Sequence, residues 1–496
     1  MKKQHQKLLF ALLFLVSFLV IFLQVKAISS TDQPSFSSFY GLRQIEHIQK
    51  TGLPIIFDSL SYQGRANTTQ VGFYYLMALF AFIFPLILIS KFINLILLLV
   101  VVFLVYFTAN KLFANKIIVW LLTLMTLLSP ILFTAHINNF DPGVLFAILL
   151  LLILNVFFTL KKETSLLFIF LILLSTLISS LSLIFIPTFI IYVILMMISS
   201  KKLASVEAEL ILFSTVFIAW LHFIIYKGSF LEYGVSLFQK SIPSVLFANS
   251  FYGLTISVAI SIVGLIPLLL GVYGTYLTLF KEPTKKNLLI ISFLFSFILA
   301  LAAGFLSFID SFFYITLLLI LLSGVAVKEF NGFLNKTVFQ KLKPLFFIFL
   351  VFLIVLNFMP VTNYGSVVNS QAPTPDELKT MSYLANNTPI DSTVLSTIKE
   401  GYLISSEANR KNFYDENFIF APQANQRYMD AKKMFLSKSQ MVVLEQMRFY
   451  GIDYVYESPQ TLKEYPLSES VFESGDCFEK VFETNTTRVF KLICKN

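Results

Sequence analysis

Residues 92–110 read FINLILLLVVVFLVYFTAN, between Lys91 and Lys111, and this stretch decides the class of fold. An uncharged apolar run of about 20 residues crosses the hydrocarbon core of a bilayer as a helix. Similar runs recur along the first 360 residues. They cover residues 8–25, 117–135, 142–160, 165–182, 183–200, 208–226, 258–280, 287–307, 311–327 and 344–360. The sequence therefore predicts an α-helical polytopic membrane protein with about 11 transmembrane helices.

The composition divides the chain into two parts. The 496 residues are 57% hydrophobic and 13% charged, with a mean hydropathy of +0.79, whereas soluble domains carry about 25% charged residues. Residues 361–496 contain 17 acidic and 14 basic side chains, and residues 1–360 contain 11 and 23. The bases are spread over short loops, which does not indicate nucleic-acid binding. We expect a transmembrane domain at 1–360 and an exported soluble α/β domain at 361–496.

The lysines predict the orientation, because cytoplasmic loops are enriched in basic residues. Residues 71–90 are apolar, but if they lie along the outer surface as a juxtamembrane helix, every multi-lysine loop falls on one side. The N-terminus is then cytoplasmic, the first outer loop spans residues 26–70, and the C-terminal domain is extracytoplasmic, as expected for a multi-pass plasma-membrane protein. The clustered lysines are Lys2, Lys3, Lys7, Lys111, Lys116, Lys161, Lys162, Lys201, Lys202, Lys281, Lys285, Lys286, Lys328, Lys336, Lys341 and Lys343.

Local signals in the tail predict a small α/β domain. Thr374-Pro375-Asp376-Glu377 is a capping box with proline at the first helical position. Residues 424–437 and 439–449 look helical, and 452–456 look like a strand. Cys477 and Cys494 flank a stretch that alternates like a hairpin. A disulfide between them suits an exported domain, and two free thiols are the alternative.

Polar groups at the edge of a bilayer are candidates for function because they are costly to place there. The first outer loop offers Asp32, Tyr40, Arg43, Asp58 and Arg65, and the second offers His136, Asn139 and Asp141. A carboxylate accepts a proton or holds a hard cation such as Mn²⁺ or Mg²⁺. The guanidinium of an arginine donates paired hydrogen bonds to phosphate oxygens. These groups suit transfer from a lipid-linked sugar donor whose phosphate lies at the interface.

Structural roles compete with these functional ones. Asp141 directly before Pro142 also fits a helix N-cap followed by proline. Asp32 can shape a turn before Pro34, and Asp58 can pair with Arg65 within the loop. A lone histidine such as His136, without a second soft ligand nearby, does not indicate a zinc site.

The order of these features resembles the GT-C superfamily of membrane glycosyltransferases, which includes protein mannosyltransferases and the oligosaccharyltransferase catalytic subunit. One span precedes a long outer loop with Phe39-Tyr40-Gly41-Leu42-Arg43 and Gly52-Leu53-Pro54. Phe73-Tyr74-Tyr75-Leu76 is similar to the juxtamembrane helix of the family, and Asp141 stands at its second acidic position. The resemblance implies transfer from a polyprenyl-phosphate carrier, with inversion at the anomeric carbon, to a protein or glycolipid acceptor.

Two positions depart from the oligosaccharyltransferase pattern. The first catalytic carboxylate of the family would fall at Ser37. The acceptor motif Trp-Trp-Asp-Tyr-Gly corresponds here to Thr397-Ile398-Lys399-Glu400-Gly401, without the tryptophans or the aspartate. The usual acceptor-sequon binding is therefore not expected.

The leading hypothesis is a GT-C-type glycosyltransferase. The expected catalytic residues are Asp32, Asp141 and Asp58; the expected substrate-binding residues are Arg43, Arg65, Tyr40, His136 and Asn139; Asp141 is the expected metal ligand. Asp32, or else Asp58, would be the base. The alternatives are a catalytically degenerate GT-C fold that binds glycolipid, and a lipid-carrier flippase or transporter. Because the spans are almost free of charge, transport of a charged solute is disfavoured.

Overall fold

The computed structural model describes residues 2–234, 246, 255–336, 340, 343–358, 364–466, 471–474 and 476–494. The predicted domain boundary at 360/361 lies outside the described residues. The helices of the first part are Lys2–Ser29, Ser38–Thr51, Gly72–Phe80, Leu86–Leu112, Lys116–Leu127, Pro130–Thr134, Gly143–Phe157, Ser165–Ile178, Phe185–Ile198, Ser205–Ile225, Lys227–Tyr233, Ile256–Val263, Leu265–Phe280, Lys285–Ala302, Phe308–Lys336 and Lys343–Phe358.

Five helices of the described part are long and apolar enough to cross a bilayer, or six if one bent pair counts as a span. Four shorter apolar helices accompany them, at 14–29, 116–127, 143–157 and 344–358. The chain is thus a multi-pass helical membrane protein, but the predicted count of 11 is not confirmed. Several predicted spans are helices of only 12–16 residues.

The predicted span 258–280 is not one straight helix. It bends by 95° between Val263 and Leu265. Gly264 has a φ of +95°, a backbone conformation that suits glycine. The side-chain oxygen of Asn357 accepts a hydrogen bond from the Leu265 amide at 3.0 Å, which satisfies a donor that the break leaves free.

Helix Phe308–Lys336 lies at the centre of the bundle. It packs closely against helix Leu265–Phe280, because Gly271 and Gly274 let the two backbones approach. A methyl group added at Gly274 would lie 2.0 Å from the carbonyl oxygen of Leu322. Small residues at such contacts are typical of helix packing in membranes.

The segment that the sequence left ambiguous, residues 71–90, contains a helix of only nine residues, Gly72–Phe80. Nine residues extend about 14 Å as a helix and cannot cross the bilayer. The long helix Leu86–Leu112 begins after Pro85, several residues earlier than the predicted span 92–110. The predicted break near Ser179–Ser182 is confirmed, since Ser165–Ile178 and Phe185–Ile198 are separate helices joined by a 3₁₀ turn.

The C-terminal part is a small α/β domain. Its helices are Tyr364–Gln371, Pro375–Asn387, Gly401–Leu403 with a π turn to Ala408, Ala424–Leu436, Gln440–Tyr450, Pro459–Glu464 and Val471–Ser474. The predicted capping box is present, with Thr374 and Glu377 bonded reciprocally.

The described residues also form seven short strands: β1 (Phe57–Asp58), β2 (Arg65–Ala66), β3 (Thr393–Leu395), β4 (Lys411–Asn412), β5 (Tyr454–Glu457), β6 (Phe478–Glu483) and β7 (Arg488–Leu492). Strands β3 to β7 form one mixed sheet in the order β4-β3-β5-β7-β6. The predicted hairpin is β6–β7, which pairs antiparallel, and Cys477 and Cys494 beside it are disulfide-bonded.

Candidate active site

Asp141 lies in the turn between the short helix Pro130–Thr134 and helix Gly143–Phe157. Its carboxylate accepts three hydrogen bonds: from His136 Nδ1 at 2.9 Å, from Asn139 Nδ2 at 2.8 Å and from the Gly143 amide at 2.7 Å. The side chain is 28% exposed. The first two donors bind Oδ2 and the third binds Oδ1, so Oδ1 retains a lone pair for another donor.

His136 is buried beside this carboxylate. Its ring meets Phe313 edge to face, with centroids 4.5 Å apart. Burial opposes a charge on either partner, but their mutual attraction and hydrogen bond outweigh it. The pKa of His136 is consequently raised, and the pKa of Asp141 is lowered. The pair therefore favours imidazolium and carboxylate.

Asn139 links Asp141 to the loop that follows helix Lys2–Ser29. Its amide oxygen accepts hydrogen bonds from Ser37 Oγ at 2.7 Å and Ser35 Oγ at 3.1 Å, while its amide nitrogen donates to Asp141. Ser37 stands where the family carries its first carboxylate. The Asn139 carboxamide thus connects Ser37 to Asp141. Asn94 also stabilises this turn, because its side-chain Nδ2 donates a hydrogen bond to the Asn139 carbonyl at 2.8 Å.

Asp32 lies on the same loop but apart from this cluster. Its side chain is exposed, and Lys91 is the charged group close to it. The ammonium of Lys91 donates to the carbonyl of Thr31. Asp32 is therefore accessible. Next to it in the chain, the Gln33 carbonyl accepts a hydrogen bond from Asn138 Nδ2 at 3.2 Å.

Asp58 forms a bidentate ion pair with Arg43, at 2.7 and 2.8 Å. Its side chain is 2% exposed, and it also accepts hydrogen bonds from the amides of Leu60 and Ser61. The partner expected from the sequence, Arg65, is replaced by Arg43. With every contact internal to the loop, this pair shapes the loop.

Arg65 fastens the loop to the C-terminal domain. It is 3% exposed, donates to Ser61 Oγ at 2.7 Å and to the Ile419 carbonyl at 2.9 Å, and lies 3.9 Å from Asp415. Ser61 also donates to Asp415 at 2.6 Å. We call this group of contacts between the loop and residues 415–419 the clasp.

Aromatic residues connect the clasp with Asp141. Tyr40 packs edge to face on Tyr74 and against Tyr402, with centroids 6.0 and 5.3 Å apart. Its hydroxyl lies 3.1 Å from Asn67 Oδ1. Burial raises the pKa of Tyr74, and nearby Tyr40 and Asp141 raise it further, which places this hydroxyl in the field of the carboxylate.

An apolar cavity opens beside this cluster. Its volume is about 420 Å³. The Tyr226 hydroxyl at its wall donates to Gln70 at 2.7 Å, and Gln70 follows Asn67 and Thr69, which contact Tyr40. The lining residues are Ser180, Leu181, Leu183, Ile184, Ile186, Pro187, Tyr226, Phe230, Ser296, Leu299, Ala300, Phe305, Leu306 and Ile419. The cavity therefore runs between spans and ends below the clasp.

The residues near Asp141 do not fit a divalent cation. No group of three or more His, Cys, Asp or Glu side chains within the described ranges is placed to hold a metal ion. Two N–H donors occupy Asp141 Oδ2, and an N–H donor repels a cation. The Asn139 amide fills the space between positions 37 and 141.

The structure brings three of the predicted site residues, His136, Asn139 and Asp141, into contact, and it adds Asn94 and Tyr74, which the sequence alone did not single out. A buried amide in an otherwise apolar span was the available signal for Asn94. For Tyr74, the aromatic run 73–75 gave no indication of which ring faces the site.

No family model and no curated protein sequence matches this chain. Among solved structures, archaeal oligosaccharyltransferase AglB from Archaeoglobus fulgidus, in complex with an inhibitory peptide and a dolichol-phosphate, matches with a TM-score of 0.64 and 13% identity over 90% of this chain and 69% of that chain. A complex of the Archaeoglobus fulgidus oligosaccharyltransferase with Zn and sulfate matches with a TM-score of 0.62 and 14% identity, over 89% and 68%.

ArnT from Cupriavidus metallidurans, bound to undecaprenyl phosphate, covers both chains almost fully. The match spans 97% of this chain and 98% of that chain, with a TM-score of 0.59 and 9% identity. AglB and ArnT are both GT-C glycosyltransferases. The resemblance to the GT-C superfamily that the sequence predicted is therefore confirmed at the level of the fold.

Proposed function

We propose that this protein is a membrane glycosyltransferase that moves a sugar from a polyprenyl-phosphate-linked donor to an acceptor on the extracytoplasmic face. One observation carries the proposal: a GT-C fold extends over nearly the whole chain and has an ordered carboxylate, Asp141, near an apolar cavity. The structures of AglB and ArnT that match it contain dolichol-phosphate and undecaprenyl phosphate.

The cavity is the proposed place for the first isoprene units of the carrier. Its wall is largely aliphatic, as a polyprenyl chain requires, and Tyr226 and Ser180 supply polar groups where the phosphate would emerge. Lys227 directly follows Tyr226 and is exposed, so we assign it to the phosphate. Arg43 and Arg65 already contact carboxylates of the fold, and we give them a positioning role instead.

Asp141 is proposed to act by charge. In the transfer, the acceptor oxygen forms a bond to the anomeric carbon as the bond from that carbon to the phosphate oxygen breaks, and positive charge develops on the sugar ring. A carboxylate with a lowered pKa stabilises that charge better than it accepts a proton. Tyr40 and Tyr74 would shape the sugar site, and His136 and Asn139 would hold the carboxylate.

The acceptor proton needs a base, and Asp32 is the proposed one because it is exposed on the loop that reaches Asp141. Asp58 is a weaker candidate since its ion pair with Arg43 is buried. Mn²⁺ or Mg²⁺ is expected from the family pattern, but the donors around Asp141 do not suit it, and no step here uses a metal.

The proposed orientation places the N-terminus in the cytoplasm and the C-terminal domain outside the plasma membrane. The lysine distribution supports it, and so does the Cys477–Cys494 disulfide, since disulfides persist in oxidising compartments. The exported domain would help to cover the acceptor, which is a protein or a glycolipid.

A second candidate is a GT-C fold that binds glycolipid without transfer. Ser37 favours it, because it stands where the family carries its first carboxylate, and so does the Asn139 carboxamide, because it lies between Ser37 and Asp141. A flippase finds less support in the nearly uncharged spans.

The test uses the purified full-length protein in nanodiscs with a radiolabelled polyprenyl-phosphate sugar. Binding of the donor, and release of the label from its carrier with water as the acceptor, are measured with Mn²⁺ and with EDTA. We expect Asp141→Asn to retain binding and lose release by at least 100-fold, Asp32→Asn to lose release, and exposed Asp476→Asn to match the wild type.

Binding without release by the wild type, with Asp141→Asn unchanged, would establish the glycolipid-binding alternative. Absence of binding to any polyprenyl donor would contradict both candidates.

A further inference from the structure

A second cavity, of about 640 Å³, lies at the opposite end of the bundle. Helix Gly143–Phe157 connects the two ends, because it begins beside Asp141 and Lys111 donates to the carbonyl of Asn155 near its end, at 2.8 Å. Position 155 is twelve residues after position 143 along the helix, which corresponds to about 18 Å. This cavity is therefore distinct from the candidate active site.

Four lysines line this second cavity: Lys111, Lys285, Lys286 and Lys328. Two of them are balanced by acids, since Lys285 pairs with Glu207 at 3.1 Å and Lys328 with Glu282 at 2.8 Å. The excess positive charge of the cavity therefore comes from the other two lysines, Lys111 and Lys286.

Lys111 and Lys286 lie side by side with neutral contacts. The ammonium of Lys286 donates to the Lys111 carbonyl at 2.9 Å and lies 5.8 Å from the ring centroid of Phe158. In the part of the chain that the structure describes, no carboxylate lies within 4.0 Å of either ammonium group. Two adjacent cations without a counter-ion favour an anion between them.

Two helix N-termini add to this field. Helix Lys116–Leu127 begins at the cap Asn115, and helix Lys285–Ala302 begins at the cap Thr284; both caps line the cavity. The N-terminus of a helix carries partial positive charge and favours phosphate groups. Apart from Asn287, the remaining wall is apolar, with Leu112, Phe113, Ala114, Ile118 and Val325.

We propose that this cavity binds the phosphate group of an anionic membrane lipid in the leaflet opposite the active site. A phosphodiester head group would lie between Lys111 and Lys286, and its acyl chains would follow the apolar wall. Basic cavities between transmembrane helices on the cytoplasmic side suit such head groups. A soluble phosphate has the same charge but would leave the apolar wall exposed to water.

The test is native mass spectrometry of the full-length protein in detergent, with phosphatidylglycerol or phosphatidylcholine of identical acyl chains. We expect retention of phosphatidylglycerol by the wild type. The double variant Lys111→Gln with Lys286→Gln should bind phosphatidylglycerol about 30-fold more weakly. Each lysine near a lipid phosphate strengthens binding about 5-fold, and the variant loses two. The matched control is Lys161→Gln with Lys162→Gln, which removes the same charge from an exposed loop and should bind as the wild type does.

Equal weakening by the two double variants, or equal retention of the two lipids by the wild type, would overturn the proposal. Displacement of phosphatidylglycerol by an equal concentration of glycerol 3-phosphate would overturn the assignment to a lipid. If the double variant fails to fold, the single variants Lys286→Gln and Lys286→Arg are compared instead. Lys286→Gln should lose the preference for phosphatidylglycerol over phosphatidylcholine, and Lys286→Arg should keep it.

Discussion

Replacing Glu400 with glutamine should stabilise the C-terminal domain increasingly as the pH rises. Glu400 is fully buried. Its Oε2 accepts hydrogen bonds from the Thr397 amide at 3.0 Å and from the Thr397 hydroxyl at 2.7 Å, and the side chain of Ser458 also lies near the carboxyl. Burial therefore raises the pKa of Glu400 to about 8.

The sign and size follow from linkage. An unfolded glutamate releases its proton above a pKa of 4.5, whereas the folded one keeps it up to about pH 8, so the free energy of unfolding falls across this window as the pH rises. Between pH 6 and pH 8 the free energy of unfolding falls by about 2 kcal/mol, which is several tens of fold in the unfolding equilibrium. Glu400→Gln preserves the shape and has no such loss.

Hydrogen–deuterium exchange measured by mass spectrometry is the suitable assay. Both tryptophans, Trp120 and Trp220, lie in apolar helices, so tryptophan fluorescence does not report on this domain. Protection of β3 and β5 is compared between wild type and variant at each pH, which cancels the intrinsic pH dependence of exchange.

The protection of wild type relative to Glu400→Gln should fall by several tens of fold from pH 6 to pH 8. The exposed control Glu445→Gln should give a constant ratio. A Glu400→Gln ratio that stays constant would show that the folded carboxyl ionises freely, and would refute the reasoning.

Three further predictions address the bundle and the site. Ser37→Asp combined with Asn139→Gly should create a Mn²⁺ site at Asp141 that the wild type lacks, visible as bound Mn²⁺ in electron paramagnetic resonance; equal spectra for both proteins would contradict the amide-filled arrangement. Arg65→Met should destabilise the clasp by about 3–5 kcal/mol, because Asp415 loses its buried counter-charge, and limited proteolysis should then cut near residue 419, whereas resistance equal to the wild type would count against the clasp. Gly274→Val should lower the thermal unfolding temperature, because its side chain meets a carbonyl of the facing helix; an unchanged temperature would refute that close approach.

The sequence was sufficient where one segment determines the outcome. Apolar runs predicted the helices, and the capping box at Thr374 predicted a helix start, because both depend on neighbours within a few residues. The cluster of His136, Asn139 and Asp141 was also within reach, since a short turn must bring its own residues together.

Contacts between distant segments could not be predicted in this way. Asp58 pairs with Arg43 instead of Arg65, because Arg65 meets Asp415, about 350 positions away in the chain. The bend at Gly264 likewise depends on Asn357, 92 positions later. Hydropathy measures how apolar a segment is, but it contains no information on which partner a polar group finds.

The clasp has a consequence for the order of biosynthesis. Arg65 and the Ile419 carbonyl are 354 positions apart, so at about 5–20 residues per second the ribosome needs roughly 20–70 s to deliver the partner after the arginine is made. During that interval the first loop has emerged without the groups that bury its arginine. The clasp is thus completed only after residues 415–419 have been synthesised, and a chain that stops before them presents an unfinished loop to proteases and chaperones.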